Sequence, residues 1–124
     1  MNIKLYDSEL RVMDVLWKTK EATASRIAKI LKERHGYRNT TTYTLIKRCV
    51  DKGAAKRTDP GFYCSAVITQ AQVQKYETSE LIKKLFDGSA DQLIDSVLNS
   101  KELSPDEIER IMHIVTEWSK NVRQ

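Results

Sequence analysis

The sequence predicts a mainly α-helical protein with a small β-hairpin, in which an N-terminal winged helix-turn-helix is followed by a helical dimerisation region. Apolar residues recur at helical spacing in three segments before position 53 and in three after position 69. Two short β-compatible runs, 54–58 and 62–68, lie between them and are separated by an Asp-Pro-Gly turn. We therefore expect a winged-helix DNA-binding domain over residues 1–68 and a helical dimerisation domain over residues 69–124.

The first two helices have clear start and stop signals. In the first, Asp7 is available as an N-cap, and an apolar face runs from Leu10 to Trp17. The second opens at Thr23 and ends near Gly36, a residue type that often follows the last turn of a helix.

A third helix is predicted to begin after the N-cap Asn39 and to stop at Gly53. Its inward positions are Thr42, Leu45, Ile46 and Cys49. Its outward positions are Thr40, Thr41, Tyr43, Thr44, Lys47 and Arg48. The order of three helices and then a hairpin within the first 68 residues is typical of a winged helix, in which the third helix is the recognition element.

The outward face of this third helix suits the major groove of double-stranded DNA. Short threonine side chains can approach base edges closely, and their methyl groups can contact thymine. Basic side chains on the helix and on the following hairpin can reach phosphates or guanine edges. The predicted DNA-binding residues are Arg38, Thr40, Thr41, Tyr43, Thr44, Lys47, Arg48, Lys56 and Arg57. The alternative is that the threonines form only a polar, poorly helical start to the helix.

Charge is distributed unevenly along the chain. Residues 1–68 contain 14 Lys and Arg against 7 Asp and Glu, whereas residues 69–124 contain 7 against 10. A basic half joined to a mildly acidic half favours a polyanion-binding head and a tail with another role. No apolar run of about 18 residues could span a bilayer, and the charged N-terminal stretch lacks a signal-peptide core. A cytoplasmic protein without membrane insertion is therefore expected.

The second half is predicted to be helical, with capping pairs Thr69/Gln72, Ser89/Gln92 and Ser104/Glu107. Segments below about 40 residues seldom enclose a core of their own. A two-fold homodimer would bury the apolar stripes and would suit a palindromic site. The predicted dimerisation residues are Leu93, Ile94, Val97, Leu98, Ile108, Ile111, Met112, Val115 and Trp118. The alternative is that the tail packs on its own N-terminal domain.

Residue types for catalysis or metal binding are scarce. His35 and His113 are isolated, and the 4 glycines form no phosphate-binding loop. We therefore predict no enzyme activity, no metal site and no cofactor. Cys49 and Cys64 each lie in an apolar run and are expected to be buried, with a redox role as the alternative.

Several segments resemble the BlaI/MecI/CopY family of transcriptional repressors. Residues 7–17, DSELRVMDVLW, resemble the family's D-x-E-x-x-V-M-x-x-L-W opening. Residues 39–53, NTTTYTLIKRCVDKG, resemble its recognition helix, T-x-x-T-L-I-x-R-L-x-x-K-G. The segments LFDGS at 85–89 and LSPDEI at 103–108 match its C-terminal half. The resemblance implies a homodimeric repressor on dyad operators of resistance or metal-homeostasis genes.

The branches of that family differ in how the repressor is released. In the β-lactam branch a membrane sensor protease leads to cleavage at an Asn-Phe step, and the corresponding pair here is Ser96 and Val97. The copper branch uses paired C-x-C motifs, and this chain has no Cys after Cys64, which excludes that device. Thr42 and Cys49 stand where the family has larger aliphatic residues, which predicts a locally altered core. Release by proteolysis or by another signal at the tail remains open.

Two other functions remain open from the sequence. One is a winged-helix protein-interaction module without sequence-specific DNA binding, since the same fold also serves as a scaffold. The other is a regulator whose effector binds between the head and the tail.

Overall fold

The computed structural model describes residues 3–100 and 102–123. Over these residues the chain forms six α-helices and three short strands. Their order is α1 (Asp7–Thr19), β1 (Glu21–Thr23), α2 (Ala24–His35), α3 (Asn39–Asp51), β2 (Ala55–Thr58), β3 (Tyr63–Ala66), α4 (Gln70–Leu85), α5 (Ala90–Ser100) and α6 (Pro105–Val122). The predicted order of three helices, a hairpin and three more helices is confirmed.

The chain contains two compact units, Met1–Ser79 and Glu80–Gln124, and the division between them falls within α4. The first unit has its own buried core, to which α1, α2, α3 and the sheet contribute. The predicted functional boundary at residues 68 and 69 stays a prediction.

Two of the predicted helix starts are wrong by one residue. The N-cap of α1 is Tyr6, whose carbonyl accepts the Leu10 N–H at 2.9 Å, so Asp7 is the first helical residue. Likewise the N-cap of α3 is Arg38, whose carbonyl accepts the Thr42 N–H at 3.1 Å. In each helix the carbonyl that accepts the first intrahelical hydrogen bond belongs to the residue before the predicted cap. Asp7 and Asn39 are therefore the first helical residues and not the caps.

The caps of α2 match the prediction. Thr23 Oγ1 accepts the Arg26 N–H at 3.2 Å, and Gly36 ends the helix with a left-handed φ of 70°. A glycine there carries no steric cost for that backbone conformation.

A three-stranded antiparallel sheet in the order β1-β3-β2 completes the first unit. The β2–β3 hairpin was predicted, and its register pairs Lys56 with Ser65. Strand β1 was not predicted, because three residues are too few to show alternation. It pairs Ala22 with Cys64 and so attaches the hairpin to the segment between α1 and α2. The Ala24 N–H also donates to the Phe62 carbonyl at 3.0 Å.

The inward residues of α3 are buried as predicted. Thr42, Leu45, Ile46 and Cys49 are all at most 4% exposed. The Trp17 indole of α1 donates from Nε1 to the Ile68 carbonyl at 2.9 Å, which connects α1 to the end of the hairpin. Helix α3 is therefore held by its buried face and presents its other face to solvent.

In the second unit, helix α6 begins at the predicted capping pair. The Glu107 N–H donates to Ser104 Oγ at 3.1 Å, and the Ser104 N–H donates back to Glu107 Oε1 at 3.4 Å. Pro105 occupies the first turn, where its missing N–H costs nothing. The start of α4 repeats this arrangement with Thr69 and Gln72. Among the residues that the structure describes, no helix is long and apolar enough to cross a membrane.

Candidate nucleic-acid interface

Helix α3 carries the predicted DNA-binding face on its solvent side. All seven predicted residues of this segment are exposed: Arg38, Thr40, Thr41, Tyr43, Thr44, Lys47 and Arg48. The free N–H groups of the first helical turn lie at the same end as the threonines and can dock on a phosphate. The structure thus brings the predicted hydroxyls, the tyrosine and the basic side chains onto one surface.

The threonines and Lys47 make only local contacts. Thr44 Oγ1 donates to the Thr40 carbonyl at 3.0 Å, which leaves its lone pairs and methyl group for a partner. Lys47 Nζ lies 2.9 Å from Asp51 Oδ2, one turn along the helix. Exposed pairs of this kind contribute about 0.3–0.5 kcal/mol, so a phosphate can replace the carboxylate at little cost.

Lys52 adds to the basic character of the sequence around α3, but its ammonium group is engaged inside the protein. Its Nζ lies 2.6 Å from Glu9 Oε1 and 2.8 Å from the Lys4 carbonyl, and 4.5 Å from the centre of the Tyr6 ring. These contacts attach the end of α3 to α1 and to the segment that precedes it.

Glu9 is the buried carboxylate of that ion pair, at 1% exposure. Burial acts to raise the pKa of Glu9, but it is outweighed by the hydrogen bonds from Lys52 and from the Tyr6 N–H and by the charges of Lys52 and Arg48. The pKa of Glu9 therefore lies below its ordinary value. Glu9 thus stays ionised at neutral pH and keeps Lys52 in place.

The hairpin forms the wing beside α3, with Lys56 and Arg57 exposed on β2 as predicted. The Arg57 guanidinium carbon lies 3.8 Å from the centre of the Phe62 ring, and Arg57 Nε lies 3.3 Å from Asp59 Oδ1. Phe62 also meets the Tyr43 ring edge to face, with centroids 5.9 Å apart. Phe62 is not among the residues predicted for this surface, and its only signal in the sequence is an aromatic residue directly after the turn.

An open groove of about 400 Å³ lies between α3 and the wing. Its apolar lining comes from Tyr43, Ile46, Val50 and Phe62. Lys47, Asp51 and Arg57 complete the lining. Lys47 of α3 and Arg57 of the wing thus border one concave surface together with Asp51, so the helix and the wing present cations side by side.

The predicted dimerisation residues lie on α5 and α6. Seven are exposed: Ile94, Val97, Leu98, Ile108, Met112, Val115 and Trp118. Leu93 and Ile111 are half-buried. Trp118 is 67% exposed and Met112 is 64% exposed, whereas large apolar side chains in a hydrophobic core are almost fully buried.

The candidate cleavage pair lies within α5. Ser96 is half-buried there and Val97 is 39% exposed.

The two histidines and the two cysteines differ in exposure. His35 and His113 are both exposed, and among the described residues no three His, Cys, Asp or Glu side chains are grouped so that they could hold a metal ion. Cys49 and Cys64 are both buried. Burial is the largest cause that raises the pKa of both thiols, to about 12 for Cys49.

Comparison with known proteins connects this geometry to a family. The penicillinase repressor family model matches residues 5–117. The methicillin resistance regulatory protein MecI of Mammaliicoccus sciuri is 29% identical over 121 residues, covering 93% of this chain and 98% of that protein. The penicillinase repressor of Bacillus licheniformis is 23% identical over 123 residues, covering 98% of this chain and 96% of that protein.

A solved structure supports the same assignment. The solution structure of the DNA binding domain of the repressor BlaI matches with a TM-score of 0.53 and 26% identity, over 57% of this chain and 89% of that one. This match confirms the predicted winged helix-turn-helix. The chain belongs to the penicillinase repressor family, whose members are DNA-binding transcriptional repressors and not enzymes.

Proposed function

We propose that this chain acts as a homodimeric repressor that binds dyad operators in double-stranded DNA. The observation that carries the proposal is the exposed polar and basic face of α3, placed beside a basic wing. A helix of this kind fits the major groove, and a two-fold dimer presents two such helices to a palindromic site.

The proposed contacts divide into two kinds. Thr40, Thr41, Tyr43 and Thr44 supply hydroxyls, methyl groups and an aromatic ring for base edges. The basic set supplies phosphate and guanine contacts: Arg38, Lys47, Arg48, Lys56 and Arg57. Specificity would then come from the threonine turn of α3, and most of the affinity from the basic side chains.

The proposed dimer interface is the apolar stripe of α5 and α6. It is supported by the exposure of residues such as Met112, Val115 and Trp118, which recur at helical spacing along α6. A contiguous exposed apolar stripe marks an interaction surface, and a second copy of the chain presents the same stripe. In this proposal residues 1–68 bind DNA and residues 69–124 dimerise.

Release from DNA is proposed to act through the same tail. Loss of the dimer interface would turn one bivalent DNA binder into two separate monomers, each of which binds DNA weakly. Helix α5 contains no buried residue among those described, which favours local opening and access by a protease near Ser96 and Val97. The names of the relatives, a methicillin resistance regulatory protein and a penicillinase repressor, make resistance or stress genes the proposed targets. A membrane sensor protease system is the proposed source of the releasing signal, as the resemblance to the β-lactam branch implies.

Selection of duplexes from a random pool by the full-length protein tests the DNA proposal. Enriched duplexes should contain a dyad and should bind at least about 10³-fold more tightly than a scrambled duplex. Affinity measured at three salt concentrations should fall steeply as salt rises. Equal binding to both duplexes would leave only a basic head, and an absence of binding at low salt would favour a protein-interaction module.

A matched pair of charge deletions assigns the binding to α3. Arg48→Gln should weaken binding to the selected duplex by roughly tenfold or more. Lys120→Gln removes an exposed cation from α6, which carries none of the proposed DNA contacts, and should leave affinity unchanged within about twofold. Equal losses in the two variants would contradict the assignment to α3.

A further inference from the structure

Phe62 occupies a backbone conformation that is unfavourable for its side chain. Its φ is 53°, in the left-handed region that bulky residues rarely adopt. The residue follows Gly61, which has a φ of 95°, so the wing turn places a glycine and then a phenylalanine in this region. A bulky residue persists in such a conformation only when its surroundings hold it there, and such positions cluster at functional sites.

The contacts of Phe62 connect three elements. Its carbonyl accepts the Ala24 N–H at the start of α2, at 3.0 Å. The centre of its ring lies 3.8 Å from the Arg57 guanidinium carbon and 5.9 Å from the centre of the Tyr43 ring, which it meets in an edge-to-face arrangement. Asp59 holds the Nε end of Arg57 at 3.3 Å. Phe62 thus lies between a predicted DNA contact of the wing and one of the recognition helix.

We propose that Phe62 is a positioning residue for DNA binding, whose ring holds Arg57 of the wing in register with Tyr43 of α3. The inference rests on the proposed function, since it concerns the same DNA surface. Stacking engages the face of the guanidinium, and Asp59 takes its Nε–H. The terminal amino groups are used in neither contact and remain for phosphate or a groove edge.

A preorganised arginine binds DNA more tightly than a mobile one. A free arginine loses side-chain conformational entropy when it is fixed on a phosphate. An arginine that is already stacked on an aromatic ring has lost part of that entropy before it binds. The contact between the Phe62 and Tyr43 rings fixes where the Phe62 ring, and with it Arg57, lies relative to α3.

The test is a double-mutant cycle in the full-length protein, titrated against the dyad duplex selected by the unmodified chain. Phe62→Leu keeps an apolar side chain but removes the ring, and should weaken binding roughly tenfold. In an Arg57→Gln background the same substitution should change affinity by less than about twofold, because the stacked group is absent. Phe62→Tyr keeps the ring and should recover most of the affinity.

A further variant separates positioning from folding. Asparagine adopts a left-handed backbone more readily than phenylalanine does. Phe62→Asn therefore removes the ring without straining the turn of the wing. It should weaken DNA binding as much as Phe62→Leu does, with thermal unfolding measured on the same samples.

Three results would overturn the inference. Unchanged affinity of Phe62→Leu, or an equal loss in both Arg57 backgrounds, would show that the ring does not act through Arg57. Failure of Phe62→Tyr to recover affinity would do the same. If the unmodified chain selects no dyad duplex, the proposed function fails as well, and that outcome is distinct because it involves no variant.

Discussion

The two units of this chain both contain amphipathic helices, but they differ in whether the apolar faces of those helices are buried. In the first unit the apolar faces of α1, α2 and α3 are buried, with Met13, Ile27 and Ile46 at 0–1% exposure. In the second unit α5 and α6 contain no buried residue among those described, and Trp118 is 67% exposed. Equivalent sequence periodicity therefore ends in a closed core in one unit and an open apolar face in the other.

This difference indicates where each unit obtains its stability. The first unit buries large side chains and gains about 25 cal/mol for each Å² of apolar surface removed from water. The second unit leaves that gain unrealised within one chain, so a partner can supply it. In the proposed dimer a DNA-binding head is joined to a dimerising tail, and this arrangement suits control because a change in the tail would change how tightly the two heads bind DNA.

The largest expected effect comes from placing a charge on the open face. Trp118→Glu buries an unpaired carboxylate in the proposed dimer interface, which is strongly unfavourable. The protein should become monomeric, and its affinity for a dyad duplex should fall by about 100-fold or more, while its affinity for a single half-site is unchanged. Sedimentation velocity and titration of both duplexes measure the two effects.

The control for that variant lies on the same helix. His113 is exposed and lies about 140° around α6 from Trp118, at 100° per residue. His113→Glu introduces the same charge and should leave the dimer and its DNA affinity unaltered. If both variants dimerise normally, the apolar stripe of α6 is not the dimer interface, and a second copy of the chain does not explain why that stripe is exposed.

A second prediction concerns the closed unit. Lys52→Met leaves Glu9 buried without its cation, and should destabilise the protein by about 2–3 kcal/mol. The loss is smaller than for a fully enclosed pair, because the Lys52 side chain is 29% exposed. Urea unfolding at neutral pH measures it. Lys18→Met breaks an exposed pair with Asp14 and should cost at most about 0.5 kcal/mol.

The pH dependence gives the same prediction an independent check. The pKa of Glu9 is lowered from 4.5, so its ion pair contributes stability that is present above about pH 4.5 and is lost as pH falls through the folded pKa. The difference between Lys52→Met and the unmodified chain should therefore shrink in acid. A difference that is constant from pH 7 to pH 3 would show that Lys52 stabilises the protein through the Lys4 carbonyl and the Tyr6 ring and not through Glu9.

A smaller effect is expected at an imperfect position of the core. Thr42 is fully buried, and its Oγ1 has no hydrogen-bond partner among the described residues. Thr42→Val replaces the hydroxyl with a methyl group of similar size and should stabilise the protein by about 1 kcal/mol. Thr41→Val, on the exposed face, is the control and should change stability by less than about 0.5 kcal/mol. A destabilised Thr42→Val would show that the hydroxyl is satisfied by bound water.

Local sequence signals predicted much of this fold. Helix ends at Thr23, Gly36 and Ser104 follow from side-chain and backbone preferences that act within four residues. Strand β1 could not be predicted, because its pairing with β3 joins residues about forty positions apart. Its three residues have no pattern of their own.

The candidate site was predictable in its composition but not in its internal contacts. The exposed face of α3 followed from helical periodicity alone. The pairing of Lys52 with Glu9 and the stacking of Arg57 on Phe62 required the tertiary arrangement. From the sequence Lys52 is one more cation near α3, whereas in the folded chain its ammonium group is already engaged by Glu9 and the Lys4 carbonyl.

The smallest expected effect is a thiol reactivity close to zero in the closed unit. Cys49 is fully buried and its pKa is raised to about 12, so at pH 8 it stays protonated and out of reach of an alkylating reagent. Cys64 is equally buried, and both thiols should react only as fast as the protein unfolds.

Met112→Cys places a thiol on the exposed apolar stripe of α6 and should react rapidly in dilute solution. Its rate should fall as protein concentration rises and the proposed dimer covers it. Rapid labelling of Cys49 in the native protein would favour a redox role, and a Met112→Cys rate independent of concentration would place the dimer contact elsewhere.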